Sequence, residues 1–216
     1  MLYSRLWILA VLPGDALGPL RIGFYYGIVA AIVALAADLR FLYLDPSALG
    51  AWVLAVIETY RSSLALATCL FLGLLAALRV RPTRFDPGVP YTSLLLRDGA
   101  LAATMVAVVF GATVFLTTAL QATLLADEAR AYAGEAAPRI ASYLDDLARH
   151  LDDPSPTMAG AVESNLQPPK LHDLGRSIAN FVLRAVLLGT LGGLVGVLRG
   201  RFGVSPGDRG GKFRRG

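Results

Sequence analysis

Four ionisable side chains lie near the ends of long apolar runs and are the residues best suited to polar chemistry: Asp38, Glu58, Arg61 and Arg184. A charge at membrane depth is costly, so such groups are usually paired or placed along a path for ions or substrate. If each apolar run begins at its basic end, about 20 residues of helix place Asp38, Arg61 and Arg184 within about 8 Å of one membrane boundary. We therefore predict that Arg184 points inward and pairs with Asp38 or Glu58. The alternative is that Arg61 and Arg184 snorkel to the headgroups.

A second candidate site involves the two histidines, which both lie in a polar segment. Asp146 precedes His150 by four residues, so both side chains share one face of a helix and, with His172, could bind a metal ion. A solvated ion pair on an exposed helix face accounts for the same residues, and we favour that interpretation. We thus expect no metal and no cofactor.

The sequence shows few other residues that could support an enzymatic reaction. The sequence has no H-E-x-x-H or G-x-S-x-G motif and no glycine-rich phosphate loop ahead of a helix. Cys69 is the single cysteine and lies in an apolar run, which excludes an internal disulfide. We expect that the protein is not an enzyme.

Composition indicates a membrane protein. Hydrophobic residues make up 55% of the 216 residues, charged residues only 17%, and the mean hydropathy is +0.57. These values lie outside the range of soluble domains. The net charge of +4 does not indicate nucleic-acid binding, because the basic residues flank apolar segments, where they orient helices.

Four apolar runs are each long enough to cross a bilayer, which takes about 20 helical residues. The second helix, with its lead-in from Pro46, is longer than the membrane is thick, and we expect the part before Tyr60 to project from it. The runs cover about 22–42, 46–80, 99–126 and 177–198. They predict an all-α four-transmembrane-helix bundle, with the first three spans inside 21–126 and the fourth inside 177–200.

The two ends of the chain differ from the spans. The apolar stretch within 1–20 is too short to cross the membrane, so we predict a cytoplasmic or interfacial segment; a cleaved signal peptide is the alternative. Residues 201–216 are basic and rich in glycine, which predicts a disordered tail attracted to anionic lipid.

Between the third and fourth spans, 127–176 forms a polar insertion. Pro138 suits the first turn of an amphipathic helix, and the part after that helix has the composition of a loop. Fifty such residues cannot bury a core of their own. The apolar stripe should therefore rest on the membrane surface, on the projecting end of the second helix, or on another protein. The stripe comprises Ile140, Tyr143, Leu144, Leu147 and Leu151.

Glycines recur along one side of the fourth span, which allows another helix to approach closely. The neighbouring helix could belong to the same chain or to a second copy. The glycines are Gly189, Gly192, Gly193, Gly196 and Gly200.

Orientation follows from the arginines and lysines, which collect before the first span, between the second and third spans, and after the fourth. Such loops are cytoplasmic in membrane proteins. We therefore predict that both termini are cytoplasmic and that the polar insertion is extracytoplasmic.

From Arg21 to Arg201 the layout resembles a family of small bacterial four-helix inner-membrane proteins of unknown function. The shared features are four apolar helices, a basic middle loop, a polar amphipathic insertion and a last helix of small residues. The resemblance implies a multi-pass protein of the bacterial cytoplasmic membrane and no particular activity.

Two functions fit these observations. The first is a structural or accessory subunit that packs with a membrane-protein partner or with a second copy. The second is a small transporter or channel using the charge layer. Transport calls for ionisable groups near the middle of the bilayer, and the middle of each span is apolar, so we favour the first.

Overall fold

The computed structural model describes residues 17–81, 90–150 and 159–202. Helices dominate these ranges, and we number the α-helices in chain order. A 3-10 turn at Arg40–Leu42 follows the first of them. The helices are α1 Leu17–Asp38, α2 Ala51–Arg79, α3 Tyr91–Ala122, α4 Ala126–His150, α5 Ala159–Leu166 and α6 Asp173–Phe202.

Four of these helices, α1, α2, α3 and α6, are long and apolar enough to cross a membrane. Lipid offers no hydrogen bonds, so the unbroken backbone bonding of a helix is what permits such segments to span. The predicted fold class, an all-α protein with four transmembrane helices and an amphipathic helical insertion before the last, is confirmed. The protein is a multi-pass membrane protein.

The helices begin at other positions than predicted. The first starts at Leu17, inside the segment assigned to the interface, and the third starts at Tyr91, before the buried Asp98. The second starts at Ala51 and not at Pro46, because the preceding residues form a turn. There the Asp45 carboxylate accepts hydrogen bonds from the backbone N–H and the hydroxyl of Ser47, at 2.8 and 2.7 Å. These bonds hold the pKa of Asp45 below its usual value.

The predicted start of the amphipathic helix at Pro138 is wrong. Helix α4 begins twelve residues earlier, at Ala126, and Pro138 lies in its interior. Its first turn carries Asp127 and Glu128, which stabilise the positive end of a helix dipole. The segment between them and the proline is rich in alanine, which is apolar enough to face a core while giving only a weak hydrophobic pattern.

The loop predicted after that helix is also interrupted. Helix α5 occupies Ala159–Leu166 and buries Leu166. Leu151 of the predicted stripe lies outside the described residues, as do most of the N-terminal segment, most of the basic loop after α2 and most of the basic tail.

The chain divides into two compact units, and each of the four spans α1, α2, α3 and α6 contributes to both. The described part of unit 1 comprises 17–31, 68–81, 90–111 and 180–202. Its helices approach through small residues. Added Cβ atoms at Gly23 and Gly27 would lie 2.3 Å from the Ala102 carbonyl oxygen and 2.8 Å from the Val109 Cβ. Such contacts leave no room for a side chain, so the backbone of α1 packs directly against the backbone and side chains of α3.

The described part of unit 2 comprises 32–67, 112–150 and 159–179. Its core forms where the apolar face of α4 meets the beginning of α2, which settles the three alternatives for the stripe in favour of the second helix. Tyr143 and Leu144 are partly buried against this core, whereas Leu147 remains 42% exposed. The core residues are Leu54, Ala55, Tyr132, Ala133, Ala136, Ala137, Ile140 and Leu166.

Candidate polar site around Glu58

Glu58 of α2 is the centre of a buried polar cluster in unit 2. Its side chain is only 7% exposed, and its carboxylate accepts from Nε and Nη2 of Arg40, the latter at 2.5 Å. The Tyr132 hydroxyl donates to the same carboxylate at 2.8 Å. Arg61 Nε lies 3.1 Å away, one helical turn along α2. Both carboxylate oxygens thus accept hydrogen bonds, which permits the burial of Glu58.

Arg40 supplies the principal partner, which the sequence analysis did not include in the network. It sits in the 3-10 turn after α1 and is 4% exposed. Its guanidinium carbon lies 5.4 Å from the centre of the Tyr132 ring, within the range of a cation–π contact. The signal that could have identified it is its place two residues after Asp38, at the same membrane boundary.

Tyr132 joins the cluster from α4, outside the spans. Burial raises the pKa of its hydroxyl well above the usual value, and the neighbouring Glu58 charge raises it further. The phenol is therefore protonated at neutral pH and acts as a hydrogen-bond donor. Tyr132 connects the packing of α4 to the charge cluster.

Asp38, the last residue of α1, is held by α3. Thr117 donates its hydroxyl to the Asp38 carboxylate at 2.6 Å, and the Gln121 side-chain amide donates to the Asp38 carbonyl oxygen at 3.1 Å. Thr118 and Thr123, by contrast, return their hydroxyl bonds to their own helix. The Thr117 hydroxyl also lies 3.0 Å from the Val114 carbonyl oxygen of its own helix, so Thr117 links α3 to the end of α1.

Arg61 is bound more loosely than Arg40. Its Nε is buried and, in the part of the chain that the structure describes, has no hydrogen-bond partner of good geometry. The 3.1 Å separation from Glu58 therefore represents charge attraction without a well-aligned hydrogen bond.

A cavity of about 260 Å³ adjoins the cluster. Its walls are mainly polar and come from the end of α1, the middle of α2, the end of α3, α4 and the segment at the end of α5. The lining residues are Asp38, Arg40, Phe41, Arg61, Val114, Thr118, Gln121, Ala129, Tyr132, Leu166, Gln167 and Pro169.

Of the four residues proposed as a network, the structure brings Glu58 and Arg61 together and places Asp38 at the same cavity as Arg61. Arg184 belongs to unit 1, where its guanidinium carbon lies 5.9 Å from the centre of the Phe110 ring. Its pairing with Asp38 or Glu58 stays a prediction.

The glycines of the fourth span face α3 within unit 1. Added Cβ atoms at Gly192 and Gly196 would lie 2.4 Å from the Ala103 Cβ and 2.1 Å from the Leu95 carbonyl oxygen. Gly189 and Gly200 are similarly close to Thr104 and Thr92. The added Cβ at Gly193, however, would be 3.5 Å from its nearest neighbour, an ordinary contact. The close helix approach observed here lies within the chain.

The histidines lie apart from the cluster. His150 Nδ1 is 2.6 Å from the carbonyl oxygen of Asp146, whose carboxylate pairs with Arg149, and His172 pairs with Asp173. Within 17–81, 90–150 and 159–202, no group of three metal-ligating side chains is suitably placed.

In comparisons with known proteins, no protein-family model, curated protein or solved structure matches the chain.

Proposed function

We propose that the protein is a structural or accessory subunit of the bacterial cytoplasmic membrane that packs against a transmembrane helix of a partner protein. The observation that carries the proposal is an apolar groove of about 530 Å³ in unit 1. Its lining residues are Leu96, Ala100, Thr104, Ala185, Val186, Gly189, Thr190, Gly193 and Leu194. The proposal assigns no catalytic activity.

The groove has the character of a helix-docking surface in lipid. The side chains of α3 and α6 at the bottom of the groove are small, so the backbone of a partner helix can approach closely. It then makes van der Waals contacts that lipid chains make less well. Thr190 bonds its hydroxyl to its own helix, at 2.8 Å from Val186, and so presents little unsatisfied polarity. Gly192 and Gly196, by contrast, are already covered by α3. Gly193 thus differs from them in having room for an added Cβ at ordinary contact distance from α3.

The cellular placement belongs to the same proposal. Arginines and lysines collect before α1, between α2 and α3, and after α6, whereas α4 lies between α3 and α6. This distribution supports cytoplasmic termini and an extracytoplasmic α4. The layout between Arg21 and Arg201, which resembles small inner-membrane proteins of unknown function, supports the bacterial cytoplasmic membrane.

Gly193→Leu tests this function because Gly193 lines the groove and its added Cβ would meet α3 only at ordinary contact distances. We expect the variant to retain its thermal stability in detergent and to lose a stoichiometric membrane-protein partner that co-purifies with the wild type. Gly175→Leu is the matched control, since the added Cβ at that position of α6 meets nothing within 4 Å. Retention of the partner by Gly193→Leu, or a wild type without a partner, would contradict the proposal. A complex containing only this chain would identify the partner as a second copy.

A small transporter or channel is the second candidate, favoured by the polar cavity beside Arg61. It predicts ion or solute flux in proteoliposomes that Glu58→Gln abolishes. The accessory function predicts no flux above that of empty liposomes, so the same measurement separates the two.

A further inference from the structure

We infer that the beginning of α4, the segment 126–134, is a movable lid over the polar cavity of unit 2. The hydrogen bond from the Tyr132 hydroxyl to the Glu58 carboxylate, at 2.8 Å, holds this lid closed. The inference assigns a movement to α4 that the accessory function does not require, and it does not rest on that function.

The walls of the cavity come from two sources. The parts of α1, α2 and α3 that belong to unit 2, together with the 3-10 turn, supply one side. The other side comes from α4, from the end of α5 and from the residues that follow it. Within α4 the lining residues are Ala129 and Tyr132, both buried. Movement of the segment 126–134 away from the spans therefore removes part of one wall and opens the cavity.

The segment is attached to unit 2 by few strong contacts. An alanine buries a single methyl group, so it stabilises packing much less than a leucine or an isoleucine does. The later part of α4, by contrast, buries Ile140 and packs Leu144 against the core. Because Glu58 is a charged acceptor, the Tyr132 bond supplies a large share of the attachment. The buried face of the segment consists of Ala126, Ala129, Tyr132 and Ala133.

The backbone can bend at both ends of the segment. Pro138 lies inside α4 and has no backbone N–H, so it cannot donate to the carbonyl oxygen of Gly134, four residues earlier. Gly134 has more backbone freedom than other residues, and no close contact requires glycine there, since an added Cβ would meet nothing within 4 Å. At the other end, a turn at 123–125 separates α3 from α4, and Leu124 in this turn is 77% exposed.

Opening the lid leaves the charge pair beneath it in place. Arg40 belongs to the 3-10 turn and Glu58 to α2, so their ion pair does not depend on α4. The closed state adds the Tyr132 hydrogen bond to a pair that is already formed. Closed and open states thus differ by one charged hydrogen bond and a few buried methyl groups, which permits a small open population at equilibrium.

The test measures access to the cavity in the full-length protein in detergent. Cys69 is the single cysteine, so Cys69→Ala provides a background without thiols. Thr118→Cys then places one thiol in the cavity wall. The Thr118 hydroxyl bonds only to its own helix, so its loss breaks no contact with another helix. The measured quantity is the rate at which a small charged methanethiosulfonate labels this thiol. If opening is fast relative to labelling, this rate is proportional to the open fraction.

Two variants should change the labelling rate at Thr118→Cys in opposite directions. Tyr132→Phe should raise it about 10- to 100-fold, because it removes a hydrogen bond to a charged acceptor. Gly134→Ala should lower it about fivefold, because alanine favours the unbent helix. General loosening of the structure would raise both rates. Tyr143→Phe is the matched control, since it removes a hydroxyl from the same helix outside the segment, and it should label as the background does.

Ser142→Cys in the same background gives the rate for a thiol on the exposed face of α4. Labelling of Thr118→Cys as fast as that of Ser142→Cys would overturn the inference, because the cavity would then be uncovered. An equal rate with and without Tyr132→Phe would overturn it as well. If Tyr132→Phe does not fold, Gly134→Ala decides alone, and an unchanged rate in that variant overturns the lid.

Discussion

Removing the charge of Glu58 is the perturbation with the largest expected effect on stability. Glu58→Gln keeps the shape of the side chain but leaves Arg40, which is 4% exposed, without a counter-charge. Breaking a buried ion pair on one side costs about 3–5 kcal/mol. Tyr132 would lose the charge on its acceptor as well. Together these effects place the expected loss at the upper part of that range.

The assay is reversible unfolding in mild detergent, followed by circular dichroism against denaturant. Asp146→Asn is the matched control, since it also neutralises a carboxylate paired with arginine, but one that is 63% exposed. It should change the free energy of unfolding by no more than about 0.5 kcal/mol. The double variant Glu58→Gln with Arg40→Gln removes both charges and should recover part of the loss, because no buried charge is left unpaired. The reasoning is refuted if Glu58→Gln and Asp146→Asn have equal free energies of unfolding. It is also refuted if the double variant loses more stability than Glu58→Gln and Arg40→Gln lose together.

Three further predictions concern other parts of the chain. Arg199 donates through Nη1 to the carbonyl oxygens of Leu78 and Val80 at the end of α2. Arg199→Gln should therefore lower the free energy of unfolding by about 1 kcal/mol. An unchanged free energy in a denaturant titration would show that water satisfies these carbonyl oxygens equally well. Because the pKa of Tyr132 is raised in the folded state, its contribution to stability is fully present below the unfolded pKa of 10.0 and falls as the pH rises above it. Unfolding at pH 8 and pH 11 should therefore differ less in Tyr132→Phe than in the wild type, and equal pH dependence would contradict the assignment. Reporter fusions should give a cytoplasmic signal at Gly216 and an extracytoplasmic signal within 155–164; a cytoplasmic signal from the latter would overturn the predicted orientation.

The spans were predictable because they depend on one property, the length of an uncharged apolar run, which the sequence displays directly. The proximity of Glu58 and Arg61 was predictable for a similar reason, since residues three apart share a helix face. Both inferences use only local geometry.

The partners of Glu58 depend on tertiary structure and were therefore missed in part. Arg40 reaches Glu58 because a 3-10 turn follows α1, and no spacing rule connects two residues 18 positions apart across such a turn. Tyr132 lies in the half of α4 that the sequence analysis left out of the helix. Its alanines pack tightly while contributing little to a hydrophobic pattern, and Pro138 misplaced the start.

The separation of Arg40 and Glu58 has a consequence for how the chain enters the membrane. The two residues lie in the first helical hairpin and are 18 positions apart, so the ribosome delivers both before α3 is made. A lone charge at the centre of an inserting helix costs about 2.5–3.5 kcal/mol. A lone charge near the membrane boundary also disfavours insertion of the helix. If the hairpin closes this ion pair during insertion, neither Arg40 nor Glu58 enters the membrane as an unpaired charge. Tyr132 arrives more than 70 residues later, and we expect it to secure a pair that already exists.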